Sequence, residues 1–221
     1  MSKESSVQAF TDLIIGRRSV REGFMARQVP TEIIQKILDC GNNAASSKNA
    51  QPWILHVVTS NSTMLMDVAD AMRRSKAVEE FRPLDPKTGA RRREYVSTVV
   101  ESAQVIQSVP LAIFIENRGL FTHSREADWS AIESARPDAV IGNGLEYLSL
   151  GICVANMWLA GQALGLRGVF MGDVLVTEEF IQNLLGMNGD LVGVLALGYT
   201  DKTPYPKTIR QDSVVWHEPK P

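Results

Sequence analysis

The sequence predicts an α+β fold: a mixed central sheet flanked by helices, in one domain spanning residues 1–221, with an extended C-terminal arm. Segments with helical spacing outnumber alternating, strand-like segments by roughly two to one. The helical segments often follow one another with no strand between, unlike a regular βαβ ladder. A chain of 221 residues can bury about 70% of its unfolded surface, enough for a core without disulfide or metal staples.

The first helix is expected over Ser6–Ile15, where Val7, Phe10, Leu13 and Ile14 recur at helical spacing. A polar, arginine-rich stretch, Gly16–Arg21, follows it. Pro30 and Thr31 announce a second helix, with Thr31 as N-cap, Glu32 at the positive dipole end, and Ile33, Ile34, Ile37 and Leu38 as its buried stripe. Ala44–Pro52 is a loop of small and polar residues, and Trp53–Thr59 alternates as a strand. Ser62 caps a third helix carrying Leu65, Val68, Ala69 and Met72. Pro83, Pro86 and Gly89 make Phe81–Ala90 a long loop.

A fourth helix is expected over Arg93–Ser108 with Val96, Val99, Val100, Ala103 and Ile106 inward, and Leu111–Glu116 is a short apolar strand. Gly119–Pro137 mixes aromatics, charges and turn formers, with room for a short helix near Arg125–Glu133. Val140–Leu164 is apolar nearly all round, but Asn143, Glu146, Asn156 and Gln162 make it a fully buried central helix rather than a membrane span. Gly165 supplies its C′ residue. Val169–Met171 is extended, Thr177 caps a helix through Leu185, and Leu191–Tyr199 is the last strand. The proline-bearing tail, Thr200–Pro221, cannot fold on itself, yet Val214, Val215 and Trp216 want burial, so it is expected to pack on another surface such as a second subunit.

Charge and cysteine usage narrow the function. The formal net charge of -2 argues against a general nucleic-acid coat but not against a local anion site. Cys40 and Cys153 sit inside apolar patterns, have neither disulfide-framework nor zinc spacing, and are expected to be two buried thiols in a reducing cytoplasm. The N-terminus, Met1–Ser6, has no apolar stretch resembling a secretory signal. No metal is expected: His56, His123 and His217 are scattered, and neither a G-x-S-x-G elbow nor an H-E-x-x-H motif occurs.

Two segments carry chemistry. In Arg17-Arg18-Ser19-Val20-Arg21, three guanidinium groups and a hydroxyl within five residues suit a phosphate dianion, because arginine presents planar forks of donors. A solvated basic turn has the same pattern. Ala45-Ser46-Ser47-Lys48-Asn49-Ala50-Gln51-Pro52-Trp53 is a dense donor–acceptor loop that could hold the polar edge of a heterocycle, or be an ordinary connection. Arg91-Arg92-Arg93 reads as a solvated charge run, with the extra phosphate of NADPH as the alternative ligand.

The order and separation of these segments resemble the nitroreductase family of flavin enzymes: Arg17–Arg21, then Val29-Pro30 opening a helix, then Ser46–Trp53 opening a strand. The resemblance resumes at Leu150–Leu166, Phe170-Met171-Gly172, Val194–Tyr199, and Lys207 and Arg210 in the tail. It implies FMN held without a covalent bond at a homodimer interface. Arg17 and Ser19 would bind the phosphate with Arg18 beside them, and Arg21 would reach the flavin N1/O2 edge. Ser46, Ser47 and Asn49, with Gln51 as a weaker contact, would come from the partner subunit. Backbone groups at Met171 and Gly172 would meet the N5/O4 edge, and Lys207 and Arg210 would complete the phosphate cage. Phe81, Phe121 and Trp129 would wall the substrate site.

The implied activity is ping-pong hydride transfer from NAD(P)H through flavin N5 to nitroaromatic or quinone substrates, with no side-chain nucleophile. The alternatives are other flavin chemistry on the same scaffold (dehydrogenation, dehalogenation, flavin destruction) or a non-catalytic flavin-binding protein. Ala45 departs from the family, which commonly has proline there, and two residues rather than one separate Lys207 from Arg210.

Overall fold

Strand residues 111–117 are buried on both faces, which places them at the centre of the sheet. The computed structural model describes residues 3–60, 62–119, 142–210, 213–215 and 217. In chain order its elements are α1 (Lys3–Gly16), α2 (Thr31–Asn42), β1 (Trp53–Thr59), α3 (Met64–Arg74), α4 (Thr98–Ser108) and β2 (Leu111–Asn117). They continue with α5 (Gly142–Ala163), β3 (Arg167–Met171), α6 (Glu178–Leu185) and β4 (Asp190–Gly198). Short 3-10 turns cover Ser47–Asn49, Lys76–Phe81 and Asp173–Thr177.

The strands run in the order β1-β2-β4-β3, and every strand pair is antiparallel. A parallel bridge, Ser19 with Gly168, adds the segment after α1 to the β3 edge and makes the sheet mixed. Period-2 alternation along β2 and β4 sorts the core. Ala112, Phe114, Val194 and Ala196 pack with α3, α4 and Ile181 of α6 on one face. Leu111, Ile113, Ile115, Leu195 and Leu197 pack with α2 and α5 on the other.

Several elements depart from expectation for local reasons. Thr31 is the first helical residue of α2, and Pro30 holds the N-cap position with no side-chain cap. The restricted φ of proline does the positioning there. α4 begins at Thr98 rather than near Arg93, because residues 82–95 bond to one another in a turn closed by a Leu84–Arg91 bridge. Val96 is consequently exposed rather than inward. Of the two cysteines expected to be buried, only Cys153 is; Cys40 lies off the Ile34–Ile37–Gly41 stripe of α2 and is exposed. Thr177 donates its hydroxyl to Val174 O instead of capping α6. Gly165, at φ +86, does end α5 as expected. Leu166 N–H donates to Gly161 O (2.9 Å) and Gly165 N–H to Gln162 O (3.1 Å), a double closure that needs a left-handed residue.

The main correction concerns α5. Leu150, Cys153, Val154 and Met157 are buried against α2 and the sheet, but Leu145, Tyr147 and Leu148 are exposed, Leu148 by 62%. The described chain covers only one side of this apolar helix. The stripe of α1 is likewise uncovered, with Val7, Phe10 and Ile14 exposed. In the tail, residues 201–210 have no regular structure, and Tyr205, Ile209, Val214 and Val215 are exposed. Trp216 and the expected helix near Arg125–Glu133 lie outside the described residues. Among the described residues no helix is long and apolar enough to cross a membrane.

Candidate functional site

The Arg17–Arg21 segment is pinned by its backbone rather than by its polar side chains. Val20 N–H donates to Gly168 O (2.9 Å), and Val20 itself is buried. Close approach at Gly168 requires glycine, since a Cβ there would lie 1.8 Å from Ala196 O. Arg18 turns back on α1, donating to Ile15 O (2.6 Å) and Arg17 O (2.8 Å), where a cation complements the helix dipole. The Arg17 guanidinium lies 4.2 Å from the ring centre of Trp158, and its buried Nη1 has no hydrogen-bond partner among the described residues. Burial first, and Arg18 second, lower the Arg17 pKa from its ordinary value. An anion beside it would oppose both effects.

The segment opens onto two cavities. Arg17 lines an apolar cavity of about 530 Å³ with Trp158, Leu150 and Val154 of α5, Phe170 and Val192. Ser19 and Arg21 line a cleft of about 310 Å³ with Glu101 and Gln104 of α4 and with Lys202 and Tyr205 of the tail. Glu101, Gln104, Lys202 and Tyr205 were not singled out from the sequence. Glu101 and Gln104 are one helical turn apart and read as a solvated face, while Lys202 precedes the basic pair that drew attention. Lys207 and Arg210 lie farther along the tail, are exposed, and are not among the residues lining this cleft.

β3 is an edge strand, and the two ends of its open side matter. Ser19 meets Gly168 at one end, and Met171 and Gly172 lie at the other, about 13 Å away at roughly 3.3 Å per residue. The Met171 side chain is buried in the core, so only its backbone faces outward chemistry. Among the described residues, nothing lies within 4 Å of a would-be Cβ at Gly172. Asp173 follows and accepts a 2.6 Å hydrogen bond from Ser102 Oγ, which ties this end of β3 to α4.

The Ser46–Gln51 loop is built differently. Lys48, Asn49 and Gln51 have φ of 53, 53 and 47, left-handed backbone that costs non-glycine residues roughly 1–3 kcal/mol each. Local bonds hold it: Gln51 N–H donates to Ser46 Oγ (3.0 Å) and Gln51 Nε2 to Asn49 Oδ1 (3.0 Å). Ser47 N–H donates to Ser149 Oγ on α5 (3.3 Å). Arg17, in contrast, stacks on Trp158, nine residues farther along α5 and so about 13.5 Å away at 1.5 Å per residue. Within one chain, therefore, the two predicted segments meet α5 at different heights.

Phe81 ends a 3-10 turn and is exposed; Phe121 and Trp129 lie outside the described residues. The arginine run is largely spent on neighbours. Arg91 pairs with Glu80 (3.1 Å), and Arg92 pairs with Glu94 (3.0 Å) and stacks on Tyr95. That arrangement fits the solvated-run reading.

A buried polar cluster also went unread in the sequence. Glu116, at a β-bulge, accepts from His56 Nε2 (2.6 Å) and from the Asn188 (3.0 Å) and Gly189 (2.6 Å) amides. Burial raises its pKa, but the bonds from His56, Gly189 and Asn188 outweigh it, and the net value lies below the ordinary one. Neighbouring Asn117 donates to buried Glu146 Oε2 (3.1 Å) and accepts from Gly119 N–H (3.0 Å). Among the described residues no group of three or more His, Cys, Asp or Glu could hold a metal ion.

Residues 14–199 match the family described as Nitroreductase family. Similar folds include an NADPH:FMN oxidoreductase from Vibrio harveyi complexed with NAD+ (20% identity, TM-score 0.65, covering 96% of this chain and 77% of that one). A nitroreductase with bound FMN from Desulfitobacterium hafniense matches with TM-score 0.66 at 18% identity, over 99% of this chain and 100% of that one. A nitroreductase-like family protein from Bacillus cereus matches at 0.64 and 20%, over 95% and 96%.

Proposed function

Because the chain belongs to the nitroreductase family, we propose that it is an FMN-dependent, NAD(P)H-oxidising reductase of nitroaromatic or quinone compounds, working as a homodimer. The observation that carries this reading is the open edge of β3, flanked by Ser19, Arg21 and Lys202 at one end and by unobstructed Gly172 at the other. The residues present fit the cofactor: Arg17 Nη1, buried and without a hydrogen-bond partner among the described residues, suits an acceptor of the kind a phosphate oxygen provides. When bound, FMN would supply ping-pong two-electron chemistry, with hydride entering from NAD(P)H and leaving to the acceptor at N5.

This chain's residues bind and orient. Arg17 and Ser19, two residues apart and each lining its own cavity, would hold the phosphate between them, with Lys202 of the tail lining the cleft of Ser19; Lys207 and Arg210 line neither cavity. Arg21 would lie against the N1/O2 edge of a bound flavin, where a cation favours the negative charge gained on reduction. Backbone at Met171 and Gly172 would meet the N5/O4 edge. Ser46, Ser47, Asn49 and Gln51 come from a second copy, consistent with their separation from Arg17 along α5. The exposed apolar faces of α1 and α5 supply the surface that joins the two copies.

The test is anaerobic. Protein reconstituted with FMN should bleach on adding NADPH or NADH and recolour on adding a quinone. A flavin that stays oxidised defeats the reading, and bleaching without recolouring by any acceptor favours the non-catalytic flavin-binding alternative.

A further inference from the structure

We propose that Arg118 is a positioning residue that clamps the Ser46–Gln51 loop in its left-handed conformation; the inference rests on the reading that this loop lines a flavin. Arg118 Nη2 and Nε donate to the same oxygen, Gln51 O, at 2.7 and 3.2 Å. Its backbone N–H donates to Pro52 O (3.0 Å), extending the β1–β2 pairing by one step. Gln51 is therefore gripped at three points: its N–H by Ser46 Oγ, its side-chain amide by Asn49, and its carbonyl by Arg118. With φ of 47 it is also a residue whose conformation the backbone alone does not favour.

The aim of Arg118 is itself fixed from within. Asn117, just before it, is buried, donates to Glu146 and accepts from Gly119 N–H. Glu116, one residue earlier, anchors the bulge through His56, Asn188 and Gly189. The buried cluster thus fixes the end of β2, and Arg118 passes that rigidity to a loop on the neighbouring strand. A side chain that touches no ligand shapes the site by keeping loop donors in one arrangement, so that binding does not first have to order them.

The experiment uses full-length protein carrying Arg118→Ala, Arg118→Lys, Gln51→Gly, and Arg118→Ala with Gln51→Gly. FMN affinity is read by flavin fluorescence, and amide exchange over residues 46–52 by mass spectrometry. Arg118→Ala should weaken FMN about tenfold and speed exchange across the loop, with Arg118→Lys restoring part of both. In the Gln51→Gly background, where the left-handed backbone costs little, Arg118→Ala should change affinity by less than about twofold. Wild-type behaviour of Arg118→Ala in both readouts overturns the proposal. So does an Arg118→Ala loss that is as large with Gln51→Gly as without it, since the arginine would then act by another route. If wild-type protein takes up no FMN, the functional reading fails, and the exchange rates alone still decide the clamp.

Discussion

The Arg17–Arg21 segment and the Ser46–Gln51 loop are both short and polar, yet the fold holds them in opposite ways. The first is anchored by its backbone, through Val20 and Gly168, and leaves Arg17 Nη1 without a partner among the described residues. The second bonds Ser46 Oγ to its own backbone, ties the Gln51 side chain to that of Asn49, and holds three non-glycine residues at positive φ. A segment with fixed backbone and a buried guanidinium nitrogen left to donate to a new partner is suited to catching an anion. A loop with internally satisfied side chains presents a rigid, preformed surface. The two sit at different heights on α5, one against Ser149 and the other against Trp158, which is the arrangement expected if each serves a different copy of a shared site.

The sharpest way to break this comparison is to remove the guanidinium groups. Arg17→Ala should weaken FMN by about tenfold to a hundredfold, the cost of a charge-assisted bond of roughly 1.5–3 kcal/mol, measured by titrating apoprotein with flavin. Arg21→Ala should instead lower the flavin reduction potential more than it weakens binding, as read by equilibrium dye reduction. Equal effects of both substitutions on both readouts would erase the distinction between phosphate and ring-edge roles.

Next in size is the surface that would bring the loop of one copy to the arginines of another. Leu148→Glu places a charge on the uncovered side of α5, where Leu148 is 62% exposed. Burying leucine is worth about 1.5–3 kcal/mol per side chain, so this variant should shift a dimer toward monomer in light scattering and release FMN in the same samples. A Leu148→Glu monomer that retains FMN as tightly as wild type would show that one chain suffices.

The smallest expected effect separates the loop's support from its chemistry. The folded-state pKa of Glu116 is depressed, so its contribution to stability is present above the ordinary glutamate value of about 4.3 and is lost as pH falls through the lower folded value. Melting temperature should fall across that acid window in wild type and fall less steeply in Glu116→Gln, followed by circular dichroism. Identical pH profiles would mean that the His56–Glu116 bond does not anchor the bulge.

Much of this was legible in the sequence because it depends on local pattern. β1 follows from alternation at Trp53–Thr59, the end of α5 from Gly165, and the two polar segments from their composition and order. The uncovered side of α5 was not legible: an all-round apolar helix reads as buried, and the sequence does not say by which chain. Glu101, Gln104 and Lys202 escaped because they join the cleft only through tertiary packing of α4 and the tail against Ser19 and Arg21. Arg118 escaped because its acceptor is a backbone carbonyl sixty-seven residues away, which leaves no trace in spacing.

Subunit complementation tests the shared site most directly. Arg21→Ala protein and Asn49→Ala protein, each deficient in FMN-dependent quinone reduction alone, are dissociated, mixed and reassociated. If arginines and loop come from different copies, every mixed dimer regains one intact site, and activity returns to about a quarter of wild type on random pairing. If both segments serve the same copy, every site carries a defect, and the mixture stays as inactive as its parents.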